Sequence, residues 1–200
     1  ALSSIGNIVL NTQDITAVGN LSLTSSAGNI SLRAVTGTGD AIFSHNVGTL
    51  NLEGNLFARS FSEAASSAAV NIGATTTVTL TISTGDVAFN SGVVLINDAI
   101  ITTASNSNVS FQRTLKGGAT NTIRNLNFNN AGNVAFVGSV GGSGSVAGTA
   151  ERIGNITIGS SSLFGLSASG TDFKAASLVT TNPVLGNVSL TSTLLDLTGS

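Results

Sequence analysis

A five-residue unit recurs along the chain: a small residue, then Asn or Asp, then apolar, small or polar, and apolar. That repetition restricts the fold more than any other feature. It occurs as Gly6-Asn7-Ile8-Val9-Leu10, Gly19-Asn20-Leu21-Ser22-Leu23, Gly28-Asn29-Ile30-Ser31-Leu32, Gly39-Asp40-Ala41-Ile42-Phe43, Gly85-Asp86-Val87-Ala88-Phe89, Ser107-Asn108-Val109-Ser110-Phe111, Gly132-Asn133-Val134-Ala135-Phe136, Gly154-Asn155-Ile156-Thr157-Ile158 and Gly186-Asn187-Val188-Ser189-Leu190. Apolar third and fifth residues around a small or polar fourth give the period-two alternation of a strand with one buried face. Gly followed by Asn or Asp tolerates positive φ, as a sharp corner before each strand requires. Each unit reads as a turn followed by a short inward-facing strand.

Spacing turns the unit into an architecture. Gly6 to Gly28, Gly85 to Ser107 and Gly132 to Gly154 each span 22 residues, and Ser107 to Gly132 spans 25. That length accommodates three short strands and three corners, which is one triangular coil. The expected fold is therefore all-β, a right-handed single-stranded parallel β-helix of roughly nine triangular coils of about 22 residues. At the ~4.8 Å strand spacing the rod would be about 40 Å long. Like side chains should stack on like, with Leu, Ile, Val and Phe in internal columns. Asn should form a ladder at the corners, where Asn7, Asn29, Asn108, Asn133, Asn155 and Asn187 are the structural positions. An antiparallel β-sandwich also suits short strands with frequent turns, but has no reason to be self-similar in sequence.

The chain 1–200 reads as a single solenoid segment, part of a longer chain or assembly. Four intervals break the rhythm and are expected to leave the stack as loops: 58–69, 115–122, 140–152 and 161–174. Insertions in solenoids emerge at corners and often carry the binding function.

Composition narrows the chemistry. Charged residues make up 8% against about 25% in an ordinary soluble domain, and the net charge is −2. There is no basic stripe to neutralise phosphates, so nucleic acid is not an expected partner. Cysteine is absent, which removes disulfide and thiolate chemistry. Mean hydropathy is +0.39, yet no run approaches the roughly 20 apolar residues of a spanning helix.

No residue is assigned a catalytic, cofactor-binding or metal-binding role. His45, the only histidine, lies in Ser44-His45-Asn46 with no carboxylate or second His nearby in sequence, and reads as a turn residue. Asp14, Asp40, Glu53, Glu63, Asp86, Asp98, Glu151, Asp172 and Asp196 are scattered, whereas polysaccharide-processing β-helices need carboxylates that converge in one groove. Asp40 and Asp86 stand where the repeat has Asn, so a turn-bonding role is expected. No Gly-Gly-x-Gly-x-Asp array for calcium occurs. Thr75-Thr76-Thr77-Val78-Thr79-Leu80-Thr81 sends threonines outward, but ordering water as ice-binding faces do needs that row on successive coils. The neighbouring units carry Ser, Ala or Asn, so a solvated face is expected. The tripeptides beginning at Asn20, Asn29, Asn108, Asn155 and Asn187 match the glycosylation acceptor pattern but coincide with the corner unit.

The repeated Gly-Asn-apolar-Ser/Thr-Leu units resemble those of filamentous-haemagglutinin-like exoproteins of two-partner secretion and related giant β-strand-repeat adhesins. The likeness covers most of the chain as a style of repeat. It implies a β-helical shaft at the bacterial cell surface or outside it, with roles in attachment, biofilm or contact. Expected partners are neighbouring coils of the same or an identical chain, and host or neighbouring-cell surfaces or glycans. An end-to-end filament subunit is the alternative, because open coil ends expose unpaired backbone groups and Leu190, Leu194, Leu195 and Leu197 leave one end apolar.

Overall fold

Strands one coil apart pair in parallel at every step, and this directional uniformity defines the molecule. The structure, a computed structural model, describes residues 1–104, 107–118, 123–129, 132–142, 151–159, 165–170, 172–180, 188–192 and 194–197. Three parallel sheets of nine, six and nine strands run along the rod. Leu2–Ser4, Ile8–Leu10 and Ile15–Ala17 begin the first, second and third sheet, and the chain then visits the three in the same order. The result is a β-solenoid of about seven turns.

The alternation read from the repeat sets which side chains point inward. In the second sheet Ile8 pairs with Ile30, Ile30 with Leu50, Leu50 with Val70, Val70 with Val93, and Val93 with Leu115. Val140 and Phe173 extend that row by single bridges, and Phe173 pairs with Leu195. All of these from Ile8 to Phe173 are buried. The steps from Ile8 to Leu115 take 22, 20, 20, 23 and 22 residues, and those to Val140 and Phe173 take 25 and 33. Ile8, Ile30, Val134 and Ile156, the diagnostic positions of the repeat, are all in the core.

Seven of the eight phenylalanines among the described residues are buried, and six of them form a continuous run through the interior. Ring centroids of Phe43, Phe61, Phe89, Phe111, Phe136 and Phe173 follow one another at 5.6, 4.8, 5.0, 5.4 and 5.6 Å. Phe128 approaches Phe111 and Phe136 edge-on from the third sheet at 6.2 and 6.1 Å. Such pairs add about 0.5–1.5 kcal/mol each to the burial of the rings.

Each of the three corners carries its own Asx ladder. A side-chain oxygen accepts the backbone N–H of the equivalent residue one coil later: Asn7 from Asn29 and Asn29 from Thr49, both at 2.8 Å, at the corner leading into the second sheet. Asn20 serves Asp40 (2.9 Å) and Asp86 serves Asn108 (2.7 Å) at the corner into the first sheet, where Asn133 also donates to Asn108 (2.6 Å). Asn55, Asp98 and Asn125 serve Thr79, Asn125 and Asn155 at the corner into the third, and Ser177 donates to Asn155 at 2.8 Å. The predicted corner residues thus divide among three ladders, and Asn187 lies outside the described residues.

Two expectations change. Among the described repeat glycines, Gly19 has a positive φ (88°), but Gly28 and Gly39 do not. What Gly28 and Gly39 provide is close approach between coils. A Cβ on Gly28 would fall on the backbone of Gly6 and Asn7 and 2.7 Å from Asn7 Oδ1, and one on Gly39 would lie 2.5 Å from Asn20 Oδ1. Each of the four supposed excursions also contains described residues that belong to the stack. Phe61–Glu63 lies inside 58–69 and pairs with Ala41–His45, while Leu115–Gly117, the Val140 bridge, Gly165–Ala168 and Asp172–Thr180 occupy coil positions inside or overlapping the other three. Residues 119–122, 143–150, 161–164 and 171 lie outside the described residues.

Candidate functional site

Loop length at the corner between the second and third sheets is uneven, and the unevenness makes a notch. Four residues connect Leu10 to Ile15, two connect Leu32 to Val35, three connect Leu52 to Leu56, and five connect Ile72 to Val78. Stacking therefore sets two short turns between two long ones. The long turns, 11–14 and 73–77, stand as walls three coils apart, roughly 14 Å at the ~4.8 Å coil spacing. The short turns form the floor. The cavity has a volume of about 590 Å³ and is lined by Asn11, Asp14, Arg33, Ala34, Glu53, Gly54, Asn55 and Thr75, Thr76 and Thr77.

Backbone bonds hold the floor in step: Arg33 N donates to Leu10 O at 3.2 Å, Glu53 N to Leu32 O at 2.8 Å and Gly73 N to Leu52 O at 2.9 Å. Side chains then pair across coils. Arg33 Nε lies 3.3 Å from Asp14 Oδ1, and Arg33 Nη1 donates to Thr12 O at 3.3 Å. Asn11 Nδ2, two coils below Glu53, donates to both of its carboxylate oxygens at 3.3 and 3.2 Å. The notch thus brings together Asp14 and Glu53, two carboxylates that the sequence left 39 positions apart. Asp86, on the corner leading into the first sheet, is not part of it.

A second polar cluster is buried at the corner between the first and second sheets. His45 Nδ1 lies 2.7 Å from Gly48 O, and Nε2 lies 3.0 Å from Glu63 Oε1. Ser91 Oγ donates to the same carboxylate oxygen, while Asn90 N and Ser91 N donate to Oε2 at 2.7 and 3.0 Å. Ser66 N in turn donates to Ser91 Oγ at 2.7 Å. His45, Glu63 and Ser91 are at most 1% exposed. Burial pushes the Glu63 carboxyl up, but the bonds from His45, Ser91 and Asn90 together hold it below its ordinary value.

The cluster is not a nucleophilic triad. Glu63 stands between the imidazole and the hydroxyl, so His45 has no contact through which to take a proton from Ser91. His45 does bond its own turn, as the sequence implied, in the same way that Ser25 Oγ one coil earlier donates to Gly28 O at 2.8 Å. The carboxylate, 18 positions downstream in an interval without alternation, gave no local signal.

Elsewhere the surface is plain. The outward row of the third sheet reads Thr16, Thr36, Phe57, Thr81, Thr102 and Asn129. Threonine does recur on neighbouring coils, contrary to the sequence reading, but the exposed ring of Phe57 interrupts the row. Asn20, Asn29, Asn108 and Asn155 are exposed at the corners, so burial does not shield those acceptor tripeptides. Among the described residues no group of three or more His, Cys, Asp or Glu could hold a metal ion, and no helix is long and apolar enough to cross a membrane. No protein-family model, no curated protein and no solved structure matches the chain.

Proposed function

We propose that this chain is a stretch of structural and adhesive shaft, a right-handed β-helical rod from a secreted bacterial cell-surface protein that acts in attachment, biofilm or contact. The observation that carries the reading is the continuity of the inner rows, from Ile8 to Phe173 in the second sheet and from Phe43 to Phe173 through the ring stack. Side chains interlocked coil by coil, with bonded ladders at all three corners, resist bending and shear along one axis. A surface dominated by Ser, Thr, Asn and Gly, with few charges, suits a spacer that must not pair with the wrong partner. The repeat style of filamentous-haemagglutinin-like adhesins agrees with this reading.

One feature favours a second reading. Convergence of Asp14 and Glu53 is what a polysaccharide-processing enzyme would show. Asp14, however, is 69% exposed and paired with Arg33, so it lacks the desolvation that prepares a general acid.

Negative-stain microscopy of the purified chain tests the shaft, together with adhesion of cells that display it. Discrete rods that confer surface attachment are expected. Filaments that lengthen with protein concentration would replace the shaft with the filament-subunit reading, and hydrolysis of a polysaccharide would replace it with the enzyme.

A further inference from the structure

We infer that the notch between the second and third sheets binds a neutral saccharide chain, an inference that rests on the adhesive reading above and names its ligand class. Its one cation, Arg33, is already paired with Asp14, and the Glu53 carboxylate accepts from the neutral Asn11 amide, so the lining carries one negative charge in excess. An anionic ligand would have to displace Asp14 from Arg33 against that charge; a neutral one need not. Several polar atoms are left over. Asp14 Oδ2 and Asn11 Oδ1 are unused acceptors, Arg33 Nη2 and Asn55 Nδ2 are unused donors, and the hydroxyls of Thr75, Thr76 and Thr77 serve either role.

Donors and acceptors in planar forks suit adjacent hydroxyl groups, each of which both donates and accepts. Ala34, the threonine methyls and the stems of Arg33 and Glu53 supply the apolar contact that the C–H faces of a sugar need. The volume falls within the roughly 300–1,000 Å³ of small-molecule sites. No aromatic side chain lines the notch, so a single site binds weakly and many rods on one surface supply the avidity.

The test is titration of the purified rod, by saturation-transfer NMR, with tetrasaccharides of glucose, mannose, galactose and N-acetylglucosamine, and with a sulfated heparin tetrasaccharide for comparison. At least one neutral probe should bind with a Kd of about 1 mM. Binding should weaken about tenfold or more in the double variant Arg33→Ala/Glu53→Ala, and should weaken in Thr76→Leu, which removes a hydroxyl and narrows the notch at an exposed wall position while leaving the stack intact. The inference is overturned if no neutral probe binds, if these variants bind as well as the parent, if the heparin probe binds more tightly than every neutral one, or if a probe is cleaved. Rods that attach to surfaces but ignore all four neutral probes would remove the notch assignment alone; loss of the rods themselves would remove the shaft.

Discussion

Glu63 pairs in register with Phe43, so a carboxylate occupies the inward row that later coils fill with Phe89, Phe111 and Phe136. Two residues earlier, Phe61 pairs with Ala41 and Val87 and carries its ring between those of Phe43 and Phe89. The ring stack therefore passes through this coil unbroken, while the displaced position becomes polar and ties His45 to Ser91. Aromatic continuity and a buried acid coexist because the two side chains have changed places.

Glu63 makes the rod acid-sensitive. Its folded carboxyl lies below its ordinary value of 4.5, so its contribution is complete above about pH 4.5 and is lost as pH falls through the folded value. Glu63→Gln puts an amide N–H₂ where one of the two accepting oxygens stood, against His45, Ser91 and the Asn90 and Ser91 N–H groups, and should cost roughly 1–3 kcal/mol at pH 7. Urea denaturation from pH 7 to pH 3 checks both points. The parent should weaken on the acid side more steeply than the variant, and equal slopes would contradict the assignment.

Asp40 is set by a surface partner. Hydrogen bonds from Arg59 and then Ser60 draw its carboxyl down to about 2, against an ordinary 3.8. Arg59→Ala should move the NMR titration midpoint of Asp40 upward toward 3.8. Because the folded value is the lower one, the bond contributes above about pH 3.8 and fades as pH drops toward 2. A midpoint that stays in place would show that Ser60 and the backbone do the holding.

Close approach, rather than φ, makes Gly28 necessary. Gly28→Ala should destabilise by roughly 1–3 kcal/mol, because the added methyl meets the backbone of the previous coil. At Gly92, another corner position, the nearest atom to the corresponding position is Thr114 O at 3.6 Å, an ordinary contact, so Gly92→Ala should be nearly neutral. Thermal melts of the two variants make the comparison, and similar losses would return the explanation to turn conformation.

Phe111 contacts Phe89, Phe128 and Phe136 and is 1% exposed. Phe111→Ala should cost about 3–5 kcal/mol through the cavity it leaves. Phe57, whose ring faces solvent on the third sheet, should tolerate alanine within about 0.5 kcal/mol. Chemical denaturation of both separates ring burial from mere aromatic content.

The fold was legible where the repeat is most regular. Ile8, Ile30, Val134 and Ile156 announce their burial through alternation, and spacing near 22 announces the coil. Phe61-Ser62-Glu63 escaped because an acid at an inward position breaks the hydrophobic pattern, and only a neighbour 18 residues away explains it. The notch escaped for a related reason. Asn11, Arg33, Glu53 and Thr76 belong to different coils, and what aligns them is the difference in turn lengths, which no local motif records. Corner asparagines were visible as a class, but their division among three ladders depends on which sheet each turn enters.

Most ladder bonds join a residue to one about 20 to 25 positions further on, whichever coil is considered. Loop-closure entropy is therefore the same at each step and does not grow with the number of coils. A protein built this way can lengthen by duplicating one turn of gene sequence without acquiring slower or more distant pairings. The length of the rod becomes a quantity that selection can adjust in increments of a single ~4.8 Å layer.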